Sequence, residues 1–474
     1  MHMNPHTSPT AESPIMVREP KLHVLTAPNL LPLFAHLADS MRSNPLPPRE
    51  QEVVVVQSQG MRRWLTLNLA DAFGCAASLA LPFPAHFVRD ISRRLAPERS
   101  ARNDGDPFSR EALAWRIDAF LQLLPTSEAV YQPLRTYLAG SDARARFGLA
   151  AQIAGRLDDY QMYRADLLAE WEGGRDTPAT PHAAWQAAIW RALCADIGPG
   201  VPHLATQLRR TIDALDHGAV DALPARIVVF GVSALPPLFL ELLAAVARHL
   251  PVTIYSASLD PSSPHPLATM FGQQSREFRQ ALSALGARFS ALDAEVATGT
   301  GVLPSLQREL SAMHAGDTPL TIDATDATFR IHDAHGAMRQ LEVLRDQLLA
   351  ALSDDPTLRP HDMLLLVPDA AVWAPLIDAV FGVTSDDALR IPFRIADRPM
   401  RRTLPAADAL ARLIALEGGR LSRSELFGML AHPLIRQAAR LTAADVDALE
   451  SLTARANVRW GYDANSRAAL GLPA

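Results

Sequence analysis

Residues 53–57 read Val-Val-Val-Val-Gln, and these four consecutive β-branched side chains constrain the fold more than any other stretch of the chain. A strand sends successive side chains to opposite faces, so a run that is apolar at every position must be covered on both sides. That is the environment of a parallel sheet lying between helices. The run continues through Ser58-Gln59-Gly60-Met61 into an apolar-periodic segment at 64–69, giving strand, turn and helix.

The same alternation recurs elsewhere. LHVL (22–25) is strand-like and is followed by a helix-like run over 29–41. IVVFGV (227–232), a turn at SALPP, a helix over 238–249 and VTIY (252–255) form a β-α-β unit. Between 84 and 218 the pattern is helical throughout. In 109–124, for example, Leu113, Ile117, Phe120, Leu121 and Leu124 share one face behind a Ser109 N-cap. These signals predict an α/β domain over 21–255 with a helical insertion at about 85–218, preceded by a loose tail at 1–20. Residues 256–325, with their Pro, Ser and Gly clusters around one helix, read as a helical spacer. A second α/β domain is expected over 326–474, with strands at FRIHDA (329–334) and MLLLVP (363–368) and helices at 338–352 and 372–381.

Composition narrows the chemistry. With 48% hydrophobic and 20% charged residues the chain is globular rather than disordered. It contains no run of about 18 uncharged apolar residues, the length a membrane span requires. Two cysteines, Cys75 and Cys194, fit a reducing, cytoplasmic setting without a disulfide framework. Lys21 is the only lysine among 45 basic residues, and no glycine stands near it in REPKLHV. A phosphate-cradling loop needs the lysine of G-x-x-x-x-G-K-[ST], so no such loop is present. Nucleases built on an Asp…(Asp/Glu)-x-Lys site are excluded by the same residue. There is no H-E-x-x-H, no Cys/His cluster and no G-x-S-x-G elbow. The carboxylate pairs Asp158–Asp159, Asp354–Asp355 and Asp386–Asp387 read as solvated surface, and nothing nominates a catalytic site. The net charge of −6 limits any positive potential to a local channel.

Three segments carry residues suited to nucleic acid. The turn after 53–56 offers Gln57, Ser58, Gln59 and Gly60, then Arg62, Arg63 and Trp64. Glutamine reads base edges, arginine pairs with phosphate or guanine, and tryptophan stacks on bases. The same residues also fit a sheet-edge turn with a solvated arginine pair and a core tryptophan. GRLDDYQMYR (155–164) places Arg156, Asp159 and Tyr163 on one helix face, which equally describes surface ion pairs. LPFPAHFVRD (81–90) is an extended entry fixed by two prolines, with Phe83 projecting from it before a helix.

Taken together, VVVVQSQGMRRWLTLNLADAFG, ALPFPAHFVRDI, DDYQMYRADLLAEWE, AAWQAAIWRAL, FGVSALPPLFLELL and RIHDAHGAMRQLEVLRDQL resemble the RecC family, the gamma subunit of bacterial exodeoxyribonuclease V. DPTLRPHDMLLLVPD, IPFRIADRP and VRWGYDANSRAALGLP extend the resemblance, in one order, over 21–474. It implies a superfamily-1 helicase-like fold that lacks an ATP site, followed by the start of a second helicase-like domain. It implies a non-catalytic subunit that holds RecB-like helicase–nuclease and RecD-like helicase partners. Those partners use ATP and Mg2+; this chain carries no cofactor of its own. The family splits duplex ends and scans the 3′-ended single strand for the recombination hotspot Chi. Carried over by position, Gln57, Gln59, Arg63, Phe83, Arg89, Asp158 and Arg164 would line the strand channel. Gln57, Asp158 and Arg164 keep the familiar residue type. Gln59 replaces a threonine, Arg63 a glutamine and Arg89 an aromatic residue, and Gly155 and Arg156 replace an acidic and an apolar residue. Family members are substantially longer than 474 residues, so the chain corresponds to the N-terminal part of such a subunit. The readings that stand beside a strand-reading subunit are a partner-binding module without DNA contact and a truncated gene product.

Overall fold

The computed structural model describes residues 21–461, apart from 96–104, 176–181, 199, 221–222, 259–264, 294–296, 313–322, 383–388, 397–403 and 417–419, together with 463, 465 and 468. The expected tail at 1–20, the Asp386–Asp387 pair and the last residues of the chain lie outside them. The chain divides into two compact units, Met1–Phe329 and Arg330–Ala474.

Six parallel strands organise the first unit: β1 (Leu22–Ala27), β2 (Glu52–Val56), β3 (Leu79–Ala80), β4 (Ile227–Phe230), β5 (Val252–Ala257) and β6 (Arg288–Ala291). Their order across the sheet is β3-β2-β4-β5-β1-β6. Val53 to Val56 of β2 pair in register with Ile227 to Phe230 of β4. The alternation expected of a doubly covered strand is visible residue by residue. Val54 and Val56 join Leu33, Leu37, Leu65, Leu69, Phe230 and Tyr255 in one core, while Val55 joins Val229, Leu208, Leu240, Leu243 and Phe278 in another.

Helices α1 (Leu30–Ser43) and α2 (Gln59–Phe73) cover the first face; Asn29 and Ser58 cap their N-termini by accepting hydrogen bonds from Leu31 N and Met61 N. The opposite face is covered by α3 (Pro84–Leu95) and by helices from later in the chain. The insertion comprises α4 (Arg110–Gln122), α5 (Gln132–Leu138), α6 (Ala143–Tyr163), α7 (Ala165–Glu172), α8 (Ala183–Ile197) and α9 (Leu204–Asp216). It has its own core, centred on Leu113, Ile117, Leu157, Leu168, Trp171 and Trp190. Helix α9 returns to the sheet through Leu204, Leu208 and Leu215, beside α10 (Pro237–Ala247). The partly buried pair Glu52–Arg226 ties the starts of β2 and β4 together, with Arg226 Nε donating to Glu52 Oε2 at 3.0 Å.

The expected spacer at 256–325 is corrected by the structure. It holds α11 (Pro266–Phe271), α12 (Gln273–Ala284) and α13 (Val302–Ser311), but also β6, which extends the first sheet beyond β1. RFSA is short and mostly exposed, as edge strands are, so no apolar run announced it. The first sheet therefore runs past residue 255.

The second unit contains α14 (Ala337–Asp354), α15 (Ala370–Phe381), α16 (Pro405–Ile414), α17 (Arg423–Leu430), α18 (Pro433–Ala438) and α19 (Ala443–Arg455). Leu341, Ile377, Val380, Phe381 and Ile391 form its small core. The strands expected at 329–334 and 363–368 are not formed: among the described residues, this unit has only an isolated antiparallel bridge between Ser422 and Trp460. A parallel strand needs a neighbour for its ladder, and among the described residues neither segment has one. Ile331, Leu364 and Leu366 are each more than 80% exposed.

Candidate nucleic-acid interface

The loops leaving β2 and β4 run to opposite sides of the sheet, because β2 leads through α2 outward to β3 and β4 leads through α10 inward to β5. In parallel α/β sheets this divergence opens a crevice beyond the carboxyl ends of the strands, the usual place for a ligand. Gln57, Ser58, Gln59 and Gly60 follow β2 at this crevice, and Gly231 follows β4. Gly231 has φ +67°, and a Cβ placed there would stand 2.6 Å from Met61 Cε, so the Met61 side chain fills the gap. Glycine suits the left-handed backbone there, and a Cβ would require the Met61 methyl to shift.

With its floor filled by Met61, the edge presents side chains outward. Gln57, Gln59 and Arg63 are exposed, and among the described residues their side chains have no intramolecular hydrogen bond or ion pair. Trp64 behaves differently. Its indole stacks on Phe230 at 6.1 Å between ring centroids and meets Phe34 edge-on at 5.7 Å. It is therefore core rather than a base-stacking platform, because α2 begins at Gln59 and turns position 64 onto the sheet.

Phe83 is half-buried and reaches the same edge from the other side. Val56 N donates to Pro82 O at 3.0 Å, which fastens the Leu81–Phe83 loop to the end of β2. The Arg62 guanidinium covers the Phe83 ring, with Cζ 4.4 Å from its centroid. Arg62 was visible in the sequence as one of two adjacent arginines, but its partner is 21 residues away and no local pattern links them.

Helix α3 leads from Phe83 to Arg89, about 9 Å at 1.5 Å per residue. Arg89 is exposed and lies 3.6 Å from Asp106. Its charge also reaches Asp158 on α6, so the structure brings Arg89 and Asp158 into one electrostatic group. Burial and then the neighbouring Asp159 push the Asp158 carboxyl above its ordinary range, with Arg89 and Arg110 opposing them. Arg110, absent from the sequence expectation, lies against Gly155: a Cβ there would stand 3.5 Å from its guanidinium.

Arg164 occupies the break between α6 and α7 and forks onto Asp166, with Nε–Oδ1 3.2 Å and Nη2–Oδ2 3.3 Å. The Arg164 hydrogen bond holds the Asp166 carboxyl below its usual range. Among the described residues, no hydrogen bond or ion pair joins Arg164 to the edge formed by Gln57, Gln59 and Arg63. Arg156 pairs with Asp159 at 3.2 Å, one turn along α6; Arg156 is exposed and Asp159 half-buried. Among the described residues no three His, Cys, Asp or Glu side chains converge as metal ligands, and no helix is long and apolar enough to cross a membrane.

These features define a parallel α/β protein with a helical insertion and a basic, amide-bearing edge at its sheet crevice. The family of the RecC N-terminal domain matches residues 22–263, and that of the RecBCD enzyme subunit RecC fourth domain matches residues 403–474. The chain is 30% identical to the RecBCD enzyme subunit RecC of Escherichia coli over 90% of its length, covering 44% of that protein. It is 30% identical to the subunit of the same name from Mycolicibacterium smegmatis (93% of this chain, 43% of the relative) and 25% identical to that from Haemophilus influenzae (89% and 44%). The chain belongs to the RecC family. It spans less than half the length of these relatives.

Proposed function

We propose that this chain is the N-terminal, strand-reading portion of a RecC-type subunit, in which the edge after β2 contacts single-stranded DNA. The observation that carries the reading is the arrangement of Gln57, Gln59 and Arg63: exposed, without hydrogen-bond or ion-pair partners among the described residues, and set at the crevice where parallel sheets take ligands. The names of the relatives, subunits of the RecBCD enzyme, support assembly with RecB- and RecD-type partners. On this reading the fold is helicase-like without an ATP site, ATP hydrolysis and strand cleavage belong to the partners, and the chain scans the 3′-ended strand for Chi during recombinational repair of double-strand breaks. Gln57 and Gln59 would read base edges, Arg63 and Arg89 would meet phosphate, and Asp158 would orient Arg89.

The test is salt-dependent binding of a single-stranded oligonucleotide. Arg63→Ala should lower the slope of log K against log[salt] by about 0.7, the share of one phosphate contact on a single strand. An unchanged slope would remove Arg63 from the interface. Co-expression with the RecB-type subunit, followed by size-exclusion chromatography, tests the assembly: separate elution would show that this portion does not carry enough interface.

A further inference from the structure

Arg62 stands apart from the other arginines of the edge. Its guanidinium lies over the Phe83 ring at 4.4 Å, and its Nε is buried without a hydrogen-bond partner. A guanidinium that rests on an aromatic ring, with no carboxylate paired to it among the described residues, has lost solvent on one side, an arrangement that leaves its positive charge uncompensated. Arg63, next to it, is exposed and likewise has no ion pair among the described residues. The neighbouring arginines differ: Arg89 faces Asp106, and Arg94 faces Asp90. The backbone around Arg62 is fixed, since its N–H donates to Ser58 O at 3.0 Å and its carbonyl accepts from Thr66 Oγ1 at 2.8 Å. Position 62 lies in the first turn of α2, where the helix dipole adds to positive potential.

We propose that Arg62 is a phosphate-contacting residue for single-stranded nucleic acid and that Phe83 is its positioning residue, supporting the guanidinium rather than stacking on a base. The proposal rests on the reading of this edge as a DNA interface and adds two things to it. Phe83 acts through Arg62, and the edge carries two adjacent cationic contacts, Arg62 and Arg63, of which one is held in place and one is free.

The experiment measures binding of labelled oligo-dT to the 474-residue chain across a salt series, with Arg62→Ala, Arg62→Lys, Phe83→Leu and Phe83→Tyr. Arg62→Ala should reduce the salt slope by about 0.7, while Arg62→Lys keeps the slope. Phe83→Leu leaves the charge in place, so the slope should hold while affinity falls about two- to fivefold, the value of a lost cation–π contact at an accessible site. Phe83→Tyr should restore it. If wild type binds with a salt-dependent slope and Arg62→Ala keeps that slope, Arg62 is structural and the proposal is overturned while the DNA-interface reading stands. If wild type does not bind oligo-dT, the interface reading itself falls. Thermal unfolding of each variant separates loss of fold from loss of contact, and Arg62→Lys serves as the folded control should Arg62→Ala fail to fold.

Discussion

Gly155 on α6 lies under the guanidinium of Arg110 on α4, so that a Cβ added to the glycine would make ordinary contact at 3.5 Å rather than a clash. The backbone at Gly155 is helical, and nothing in the packing requires the missing side chain. Gly155→Ala should therefore stabilise the insertion by about 0.5–1 kcal/mol, the helix-propensity difference between the two residues. The midpoint of urea unfolding reads this directly. A fall in the midpoint would mean that the added methyl disturbs the Arg110 guanidinium despite the open contact.

Asp158 is a residue whose charge the fold opposes. Burial and Asp159 raise its carboxyl above the ordinary value of 3.8, so folding favours the protonated form. An acid with a raised folded pKa removes stability as pH climbs from 3.8 through the folded value, and the loss is complete above it. Asp158→Asn should thus raise stability at neutral pH and change little below pH 3.8. A pH series of denaturation midpoints that shows no narrowing of the gap towards acid would contradict the assignment.

The Glu52–Arg226 pair shows the opposite balance. Both side chains are largely buried and bonded to each other where β2 and β4 begin. Removing one partner leaves a charge in a poorly solvated place, so Arg226→Met alone should cost about 3 kcal/mol. The double variant Glu52→Leu with Arg226→Met should lie closer to wild type than either single change. Additive losses in a double-mutant cycle would show that the two side chains do not act as a pair.

Trp64 was a candidate for base stacking and is part of the sheet-face core, packed on Phe230 and Phe34. Trp64→Ala should cost about 3–5 kcal/mol. Trp64→Phe, which retains packing, should leave oligonucleotide affinity and its salt slope unchanged. A selective loss of affinity in the folded phenylalanine variant would return the indole to the interface.

Residues 363–367 carry Leu364 and Leu366 in a segment without helix or strand ladder, with both side chains almost wholly exposed. Unpaired apolar backbone of this kind is a template for association. The 474-residue chain should self-associate with rising concentration, and Leu364→Lys with Leu366→Lys should suppress it. Light scattering at several concentrations decides the matter, with equal association in wild type and variant as the contrary outcome.

Much of the first unit was written locally. Val53 to Val56 announced a doubly covered strand because burial on both faces demands apolar residues at consecutive positions. Ser109 announced a helix start because a side-chain acceptor satisfies an N–H within three residues, and the structure adds the same role for Asn29 and Ser58. The exposed Gln57, Gln59 and Arg63 were legible as a cluster because they follow one strand within seven residues. Other features depend on residues far apart in the chain. β6 is exposed and short, and only its ladder to β1, more than 260 residues away, makes it a strand. FRIHDA and MLLLVP have strand-like composition, yet a strand exists only where a neighbour supplies hydrogen bonds. The seat of Arg62 on Phe83, the reach of Arg89 and Arg110 to Asp158, and the placement of Trp64 in the core are meetings of side chains from different elements. The sequence by itself determined the helices and the buried strands of the first sheet, because those follow from periodicity and capping over a few residues. Only the tertiary structure decided which arginines face carboxylates, which rests on a ring and which remain open, because those electrostatic partners are chosen by packing across the fold.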